Sequence, residues 1–327
     1  MAQPPGFVYP NKPRHVFLLH KEVYGLKQAP RTWYAKLSSG LLSLKFVNSI
    51  TDSSLFVHND SSQLTVSLVY VDDIMLTRSS PSFLQFVISQ LQLQFPIKYL
   101  APINYFLGLE VKRDTSLFLS QTRYEVDLLK NFHMESVKPC PTPIAASTKL
   151  SKDDGILLDN PTDYRSLVGA LHYLTLTRPE IAFAVNLVCQ HMQHPRTTHM
   201  AATKRILRYI KGTLGFGLTF TKGSSFLLGF SDAKWDGNVD ERRSTGEYCI
   251  FLGPNIISWS SKKQSTGARS STEAEYRTLA HSDAELIADI FTKGLSAFRF
   301  SSLRSELQVD AAPFSLRGDN DAVIVKQ

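Results

Sequence analysis

The stretch LTVSLVYVDDIMLT, residues 64–77, sets two adjacent carboxylates, Asp72 and Asp73, between two runs of apolar and β-branched residues. Val, Leu, Ile and Tyr on both flanks favour strands, so the aspartates fall at the tip of a hairpin. Aspartate suits turns because its side chain bonds nearby backbone amides. Two like charges on one stiff ribbon also repel, and a cation between them removes that penalty. The stretch therefore predicts a hairpin and a metal site together.

Around it the first third reads as mixed α and β. A helix is predicted at APRTWYAKLSSGLL, where Pro30 suits a first turn and Trp33, Leu37 and Leu41 share a face. Strands are expected at SSLFVHN, QLTVSLVYV and IMLTRS. A helix follows at PSFLQFVISQLQLQF, with Ser80 as cap and Pro81 as first residue, and then a strand pair at NYFLGLEVKRD and SLFLSQTRY. Residues 136–155 carry alternate prolines, Pro139, Pro141 and Pro143, among small polar residues, which is linker composition. Beyond them Tyr164, Leu167, Val168, Leu171 and Leu174 share one helical face, and RPEIAFAVNLVCQHM and HMAATKRILRYIKGT continue the helical pattern to Gly212. From Phe226 the period changes to strands at SSFLLGFSDA, STGEYCIFLG and NIISWSSKKQ, then a helix at SSTEAEYRTLA capped by Ser270 or Ser271.

With 327 residues there is chain enough for two or three cores, and a net charge of +7 biases it towards polyanionic partners. Cys140, Cys189 and Cys249 have no paired spacing, which argues against a disulfide scaffold or zinc knuckle and fits a reducing, intracellular setting. Apolar runs such as IAFAVNLVC are too short to span a bilayer, so no membrane role is expected.

The motifs VYGLKQAPRTWY (23–34), YVDDIML (70–76), YFLGLEV (105–111), YRSLVGALHYLTLTRPEIAFAVN (164–186), RRSTGEYCIFLG (242–253), ISWSSKKQ (257–264) and SSTEAEYR (270–277) occur in an order that closely resembles the reverse transcriptase and ribonuclease H portion of copia-type retrotransposon polyproteins. The resemblance implies an α+β chain with a partial reverse transcriptase palm over 1–135, a linker over 136–155 and a helical connection region over 156–222. A truncated ribonuclease H-like domain over 226–309 and an unstructured tail over 310–327 complete the expectation. It implies RNA-directed DNA synthesis on a primer-template, with hydrolysis of the RNA strand of an RNA/DNA hybrid. Asp72 and Asp73 hold Mg2+, or alternatively Mn2+, in such a polymerase, where two ions about 3.5–4 Å apart assist transfer. Tyr70 then lies beside the primer end, and Lys27 and Gln28 near nucleotide and template. Asp232 and Glu275 resemble the first two carboxylates of the ribonuclease H site and share its metal; Glu273 is the rival for the helix position.

Two departures from the family pattern are expected to leave both sites half built. The sequence opens at MAQPPGF, just after the segment that carries a further palm carboxylate in the family. After EYRTLAHS it passes within a few residues to LIADIFTKGLSAFRFSSLRSELQV, which resembles the family's far C-terminal end. The expectation is an inactive remnant that still binds nucleic acid, with other polypeptides encoded by the element as possible partners. The alternative is a non-enzymatic nucleic-acid-binding protein derived from the element. Lys204, Arg208 and Lys211 on one predicted helix face, with Lys262 and Lys263, are candidates for the nucleic-acid surface. His191, His194 and His199 read as solvated loop histidines, because no acidic or cysteine partners accompany them.

Overall fold

The computed structural model describes every residue except 1, 17, 19–24, 61, 62, 78–80, 147, 236, 280–299, 302, 303, 305–308, 312–321 and 327. Two compact units emerge, Met1–Ile103 with Asn320–Gln327, and Asn104–Asp319. In the first, helix α1 (Ala29–Ser43) opens with Pro30 in its first turn, where a missing amide hydrogen costs nothing. Its Leu37 and Leu41 are fully buried, each contributing roughly 1.5–3 kcal/mol, and Trp33 packs beside them. The helix leads into strands β1 (Val47–Asn48), β2 (Leu55–Asp60), β3 (Gln63–Tyr70) and β4 (Asp73–Thr77), each antiparallel to the last. On β4, buried Ile74 and Leu76 alternate with part-exposed neighbours, so one face carries the core. Helix α2 (Pro81–Gln94) covers that core with Leu84, Val87, Ile88 and Leu91. Pro81 begins it as predicted; Ser80, its expected cap, lies outside the described residues.

The sheet continues from β4 to a strand from the far end of the sequence, β14 (Ala322–Lys326), which lies antiparallel between β4 and β5 (Lys98–Pro102). Of the tail expected to be unstructured over 310–327, residues 310–311 and 322–326 lie in strands, and residues 312–321 and 327 lie outside the described residues. Val323, Ile324 and Val325 are β-branched, and the strand pairs along its whole length with β4 and, across an irregularity between Val323 and Val325, with β5. Ahead of residues 312–321, Val309–Ala311 forms β13 against residues Phe216–Leu218.

The second unit holds a sheet of order β13-β9-β8-β7-β6, built from Tyr105–Phe106 (β6), Leu109–Arg113 (β7), Leu117–Ser120 (β8) and Phe216–Phe220 (β9) with β13. The second strand of the predicted pair stops at Ser120, and Thr122–Asn131 turns instead into helix α3. Helices α4 (Thr162–Leu174), α5 (Ala182–Cys189) and α6 (Thr197–Gly212) follow. All five predicted α4 core residues, Tyr164, Leu167, Val168, Leu171 and Leu174, are fully buried. Three antiparallel strands, β10 (Leu227–Lys234), β11 (Thr245–Leu252) and β12 (Asn255–Lys263), share the same core through Cys249, Phe251 and Ile256, and helix α7 (Ser271–Leu279) lies on them.

The division falls at residue 103, ahead of the stretch that composition marks as a linker. Pairing explains this: β8 precedes residues 136–155 and β9 follows the helices, yet Leu117–Ser120 runs directly against Gly217–Phe220. The proline-rich stretch is itself packed. Cys140, Thr142, Pro143 and Ile144 are buried, the Cys140 amide donates to the Arg208 carbonyl at 3.3 Å, and a Cβ on Gly212 would meet Pro139 at 3.0 Å. Prolines hold an extended backbone without needing a partner for their missing amide hydrogen, which suits a segment laid along α6.

Candidate functional site

In the first unit, Val71 and Asp72 form the two-residue loop joining β3 to β4, with Tyr70 paired to Asp73. Val71 has a φ of 53°, and positive φ at the first loop position is the pattern of a type II′ turn, normally reserved for glycine. A β-branched residue there stores roughly 1–3 kcal/mol of strain, so the surrounding structure must hold it. Trp33 does so: its indole N–H donates to the Val71 carbonyl at 2.7 Å, while the ring sits edge-on to Phe95 with centroids 5.4 Å apart. The hairpin tip is thus pinned to the first turns of α1. Asp72 and Asp73 are part-exposed, and Tyr70 is exposed beside them. Exposed Lys27 and Gln28 directly precede α1, at the end of the helix that carries Trp33. Trp33→Phe keeps the aromatic packing and removes the donor. The full chain is expected to lose about 1 kcal/mol in urea denaturation, and an unchanged midpoint would show that the turn holds itself.

In the second unit, Asp232 lies on β10 directly opposite Glu247 on β11, which in turn faces Ser261 on β12. Sequence reasoning missed Glu247. Its signal was parity, since it shares a face with Cys249 and Phe251, whose side chains enter the core. Glu247 is fully buried; the Ser261 hydroxyl donates to its Oε1, and its Oε2 has no hydrogen-bond partner. Burial pushes its carboxyl well above the usual carboxylate range, the Asp232 charge pushes the same way, and the Ser261 hydrogen bond and Lys234 oppose them. Asp232 is part-exposed and accepts the Ala233 amide at 2.8 Å.

Helix α7 packs on the other face of this sheet. A Cβ on Gly246 would approach Thr278 Oγ1 to 2.5 Å, and Gly246 points opposite to Glu247. Glu275 is exposed on that helix. Its rival Glu273 serves the helix start: its amide donates to Ser270 Oγ at 3.1 Å, its Oε2 accepts the Arg269 amide at 2.7 Å, and Arg277 pairs with it at 2.6 Å. Among the described residues, no three His, Cys, Asp or Glu side chains converge as a metal site.

The basic face of α6 is divided. Lys204 is exposed and Lys211 part-exposed, but Arg208 donates from Nε to the Lys138 carbonyl at 2.8 Å and so fastens the proline-rich segment. Lys262 is exposed, whereas Lys263 pairs with Glu241 at 3.1 Å. The reading of three solvated histidines needs correction. Only His194 is exposed; His191 and His199 are buried with rings stacked 3.9 Å apart, and His199 accepts the Arg196 amide at 3.0 Å through Nδ1. Helix α6 begins at Thr197, two residues before the predicted start, which draws His199 into its first turn.

Residues 1–146, which include α1 and the hairpin that carries Asp72 and Asp73, match the family described as reverse transcriptase (RNA-dependent DNA polymerase). The chain is 48% identical to the retrovirus-related Pol polyprotein from transposon RE1 of Arabidopsis thaliana, over 88% of this chain and 20% of the polyprotein. An uncharacterized mitochondrial protein of the same plant is 50% identical over 67% of this chain and 92% of its own length. A putative transposon Ty5-1 protein of Saccharomyces cerevisiae is 31% identical over 88% of this chain and 94% of its own. No solved structure matches. The chain belongs to the copia-type retrotransposon reverse transcriptase family. It spans about a fifth of the length of the Pol polyproteins it matches. Among the described residues no helix is long and apolar enough to cross a membrane.

Proposed function

We propose that the chain is a nucleic-acid-handling remnant of an RNA-directed DNA polymerase, with Asp72 and Asp73 as its metal-facing pair and Asp232 as the first carboxylate of a ribonuclease H-like site. The observation that carries this reading is the Val71–Asp72 turn, strained and pinned by Trp33 within the matched residues 1–146. Paired carboxylates on a stiff turn suit a hard, oxygen-seeking cation, and Asp72 and Asp73 fit Mg2+ or Mn2+. When bound, such an ion polarises the transferring phosphoryl group and activates the attacking hydroxyl. The protein's own contribution is positional: the hairpin fixes both carboxylates, exposed Tyr70 offers a ring beside them for a primer-end sugar or base, and Lys27 and Gln28 offer charge and hydrogen bonds to nucleotide and template. Two carboxylates on one turn hold one ion well, whereas two-ion transfer draws ligands from further strands. The chain alone is therefore read as inactive in synthesis but competent to bind.

Primer-extension and filter-binding assays on the full chain test both halves. Templated extension with Mg2+ or Mn2+ that vanishes in Asp72→Asn overturns the inactivity. Binding to an RNA/DNA hybrid is expected to be independent of sequence, with log affinity falling by about 0.9 per phosphate contacted as log salt rises. Lys204→Ala and Lys211→Ala should each flatten that slope by roughly one contact, affecting all sequences alike. Arg208 is excluded from that count because its guanidinium is engaged with the Lys138 carbonyl. Binding indifferent to salt removes the electrostatic basis of the reading.

A further inference from the structure

We propose that strand β14 is an intramolecular plug of the hairpin site. It sets Lys326 in the register position opposite Asp73, where the lysine charge takes the place of a divalent cation and opposes its binding. The proposal rests on the reading of Asp72 and Asp73 as the metal-facing pair and names what regulates that pair.

The sheet register carries the argument. β14 lies between β4 and β5, and its Lys326 pairs with Asp73, which on its other side pairs with Tyr70 across the hairpin. Asp73 alternates along β4 with buried Ile74 and Leu76, so it belongs to the face away from the core. Directly opposite residues of antiparallel strands have Cβ atoms about 4.5–5.5 Å apart, and opposite charges at such positions attract. Asp72 and Asp73 put two like charges at one hairpin tip, a penalty that a positive charge close by removes. A lysine opposite Asp73 supplies that charge from within the chain. A divalent ion arriving at the same carboxylates relieves less repulsion than it otherwise would, and is itself repelled.

The seat of β14 is uneven, which suits a strand that can be displaced. All five of its residues pair with β4, but only three pair with β5, across the irregularity between Val323 and Val325. One of those three partners is Pro102, which has no amide hydrogen to give the ladder. Another is Lys98, exposed and opposite Lys326 on the side away from Asp73. Like charges directly opposite destabilise a sheet, so Lys326 is favoured by its Asp73 neighbour and disfavoured by Lys98. The balance of this row therefore depends on the charge at Asp73. The coupling is reciprocal: a cation held at the hairpin loosens β14, and a seated β14 weakens the cation.

Mn2+ titration at low ionic strength, followed by electron paramagnetic resonance of the free ion, tests this in the full chain carrying Asp232→Asn, which silences the other proposed carboxylate. In that background Lys326→Gln should bind Mn2+ about ten-fold tighter, since a single and a double positive charge about 6 Å apart in water repel by roughly that factor. The gain should shrink as salt approaches 0.15 M, where screening acts within about 8 Å. Lys98→Gln, one strand further from Asp73, should gain less, and an equal gain would make the effect one of general surface charge and overturn the plug. Equal affinity in the parent and Lys326→Gln, with Asp73→Asn weakening both, overturns the plug and leaves the reading of the aspartate pair standing. Asp73→Asn without effect in the Lys326→Gln chain overturns both. The gain should be the same at every protein concentration; one that varies with concentration assigns the strand to a second copy and overturns the intramolecular seat.

Discussion

Replacing Arg178 with methionine is expected to cost the second unit about 3–5 kcal/mol, enough to consume much of a domain's stability. Arg178 is fully buried, and so are the two carboxylates it holds. Its Nε pairs with Glu180 at 2.7 Å and its Nη1 with Glu125, while Nη2 donates to Thr213 Oγ1 at 2.5 Å and Nη1 also to the Thr213 carbonyl at 3.2 Å. The guanidinium lies 5.6 Å from the centre of the Tyr209 ring and 5.7 Å from that of Phe216. One side chain thus ties α3, the turn at Pro179–Ile181, the end of α6 and the start of β9. Methionine matches its length but supplies no donors, so Glu125 and Glu180 are left buried without their cation. The cost comes from those stranded carboxylates more than from the lost pairing, because burying the pair was itself expensive. Arg178→Lys keeps the charge and loses the planar fork, and should fall between the two. Burial already pushes the Glu125 carboxyl up, so acid should narrow the gap between Arg178→Met and the parent as that group takes a proton. Urea denaturation at pH 7 and pH 5 measures this, and a loss below about 1 kcal/mol at neutral pH would falsify the network's structural role.

The same network shows what the sequence could and could not convey. Arg178 and Glu180 flank a proline inside an apolar run, which marks a buried ion pair in hindsight, but Glu125 stands 53 positions from Arg178 and only the fold joins them. Periodicity was legible wherever one helix supplied one face, as with Leu37 and Leu41 or the five α4 residues. The hairpin was equally legible, because a turn is a local event, but its loop is Val71–Asp72 and Asp73 already pairs with Tyr70 on the strand. Long-range pairing was not: nothing near β8 announces β9, and nothing near β4 announces Ala322–Lys326 as its neighbour. The boundary at residue 103 escaped for the same reason, since proline composition reports an extended backbone and not whether that backbone is packed. Glu247 was hidden by its type. A glutamate in a strand reads as solvent-facing until the register aligns it with Cys249.

Acid is expected to destabilise the chain through His191, with the loss accumulating between about pH 6.5 and pH 4. Burial lowers the pKa of its imidazole to about 4, the stacked His199 and nearby Lys263 push the same way, and Asp240 alone opposes them. Its Nε2 has no partner, so the ring is packed as a neutral group. The sign follows from proton counting. In the unfolded chain the imidazole titrates near 6.5, so below that pH the unfolded state binds a proton that the folded state refuses, and stability falls with pH until the folded group also titrates. An interval from 6.5 to about 4 at roughly 1.4 kcal/mol per unit puts the full penalty on the order of 3 kcal/mol. His199 is shifted in the same direction by burial, with its contact to the Ser151 carbonyl and the Asp154 and Asp240 charges opposing and Arg196 assisting. His191→Phe preserves a flat ring against His199 and cannot titrate. Denaturation midpoints taken every half unit from pH 7.5 to 4 should converge, the variant losing less than the parent at each step below 6.5. Parallel curves would mean that His191 reaches water in the folded chain, and the stacked pair would then have no part in the acid response.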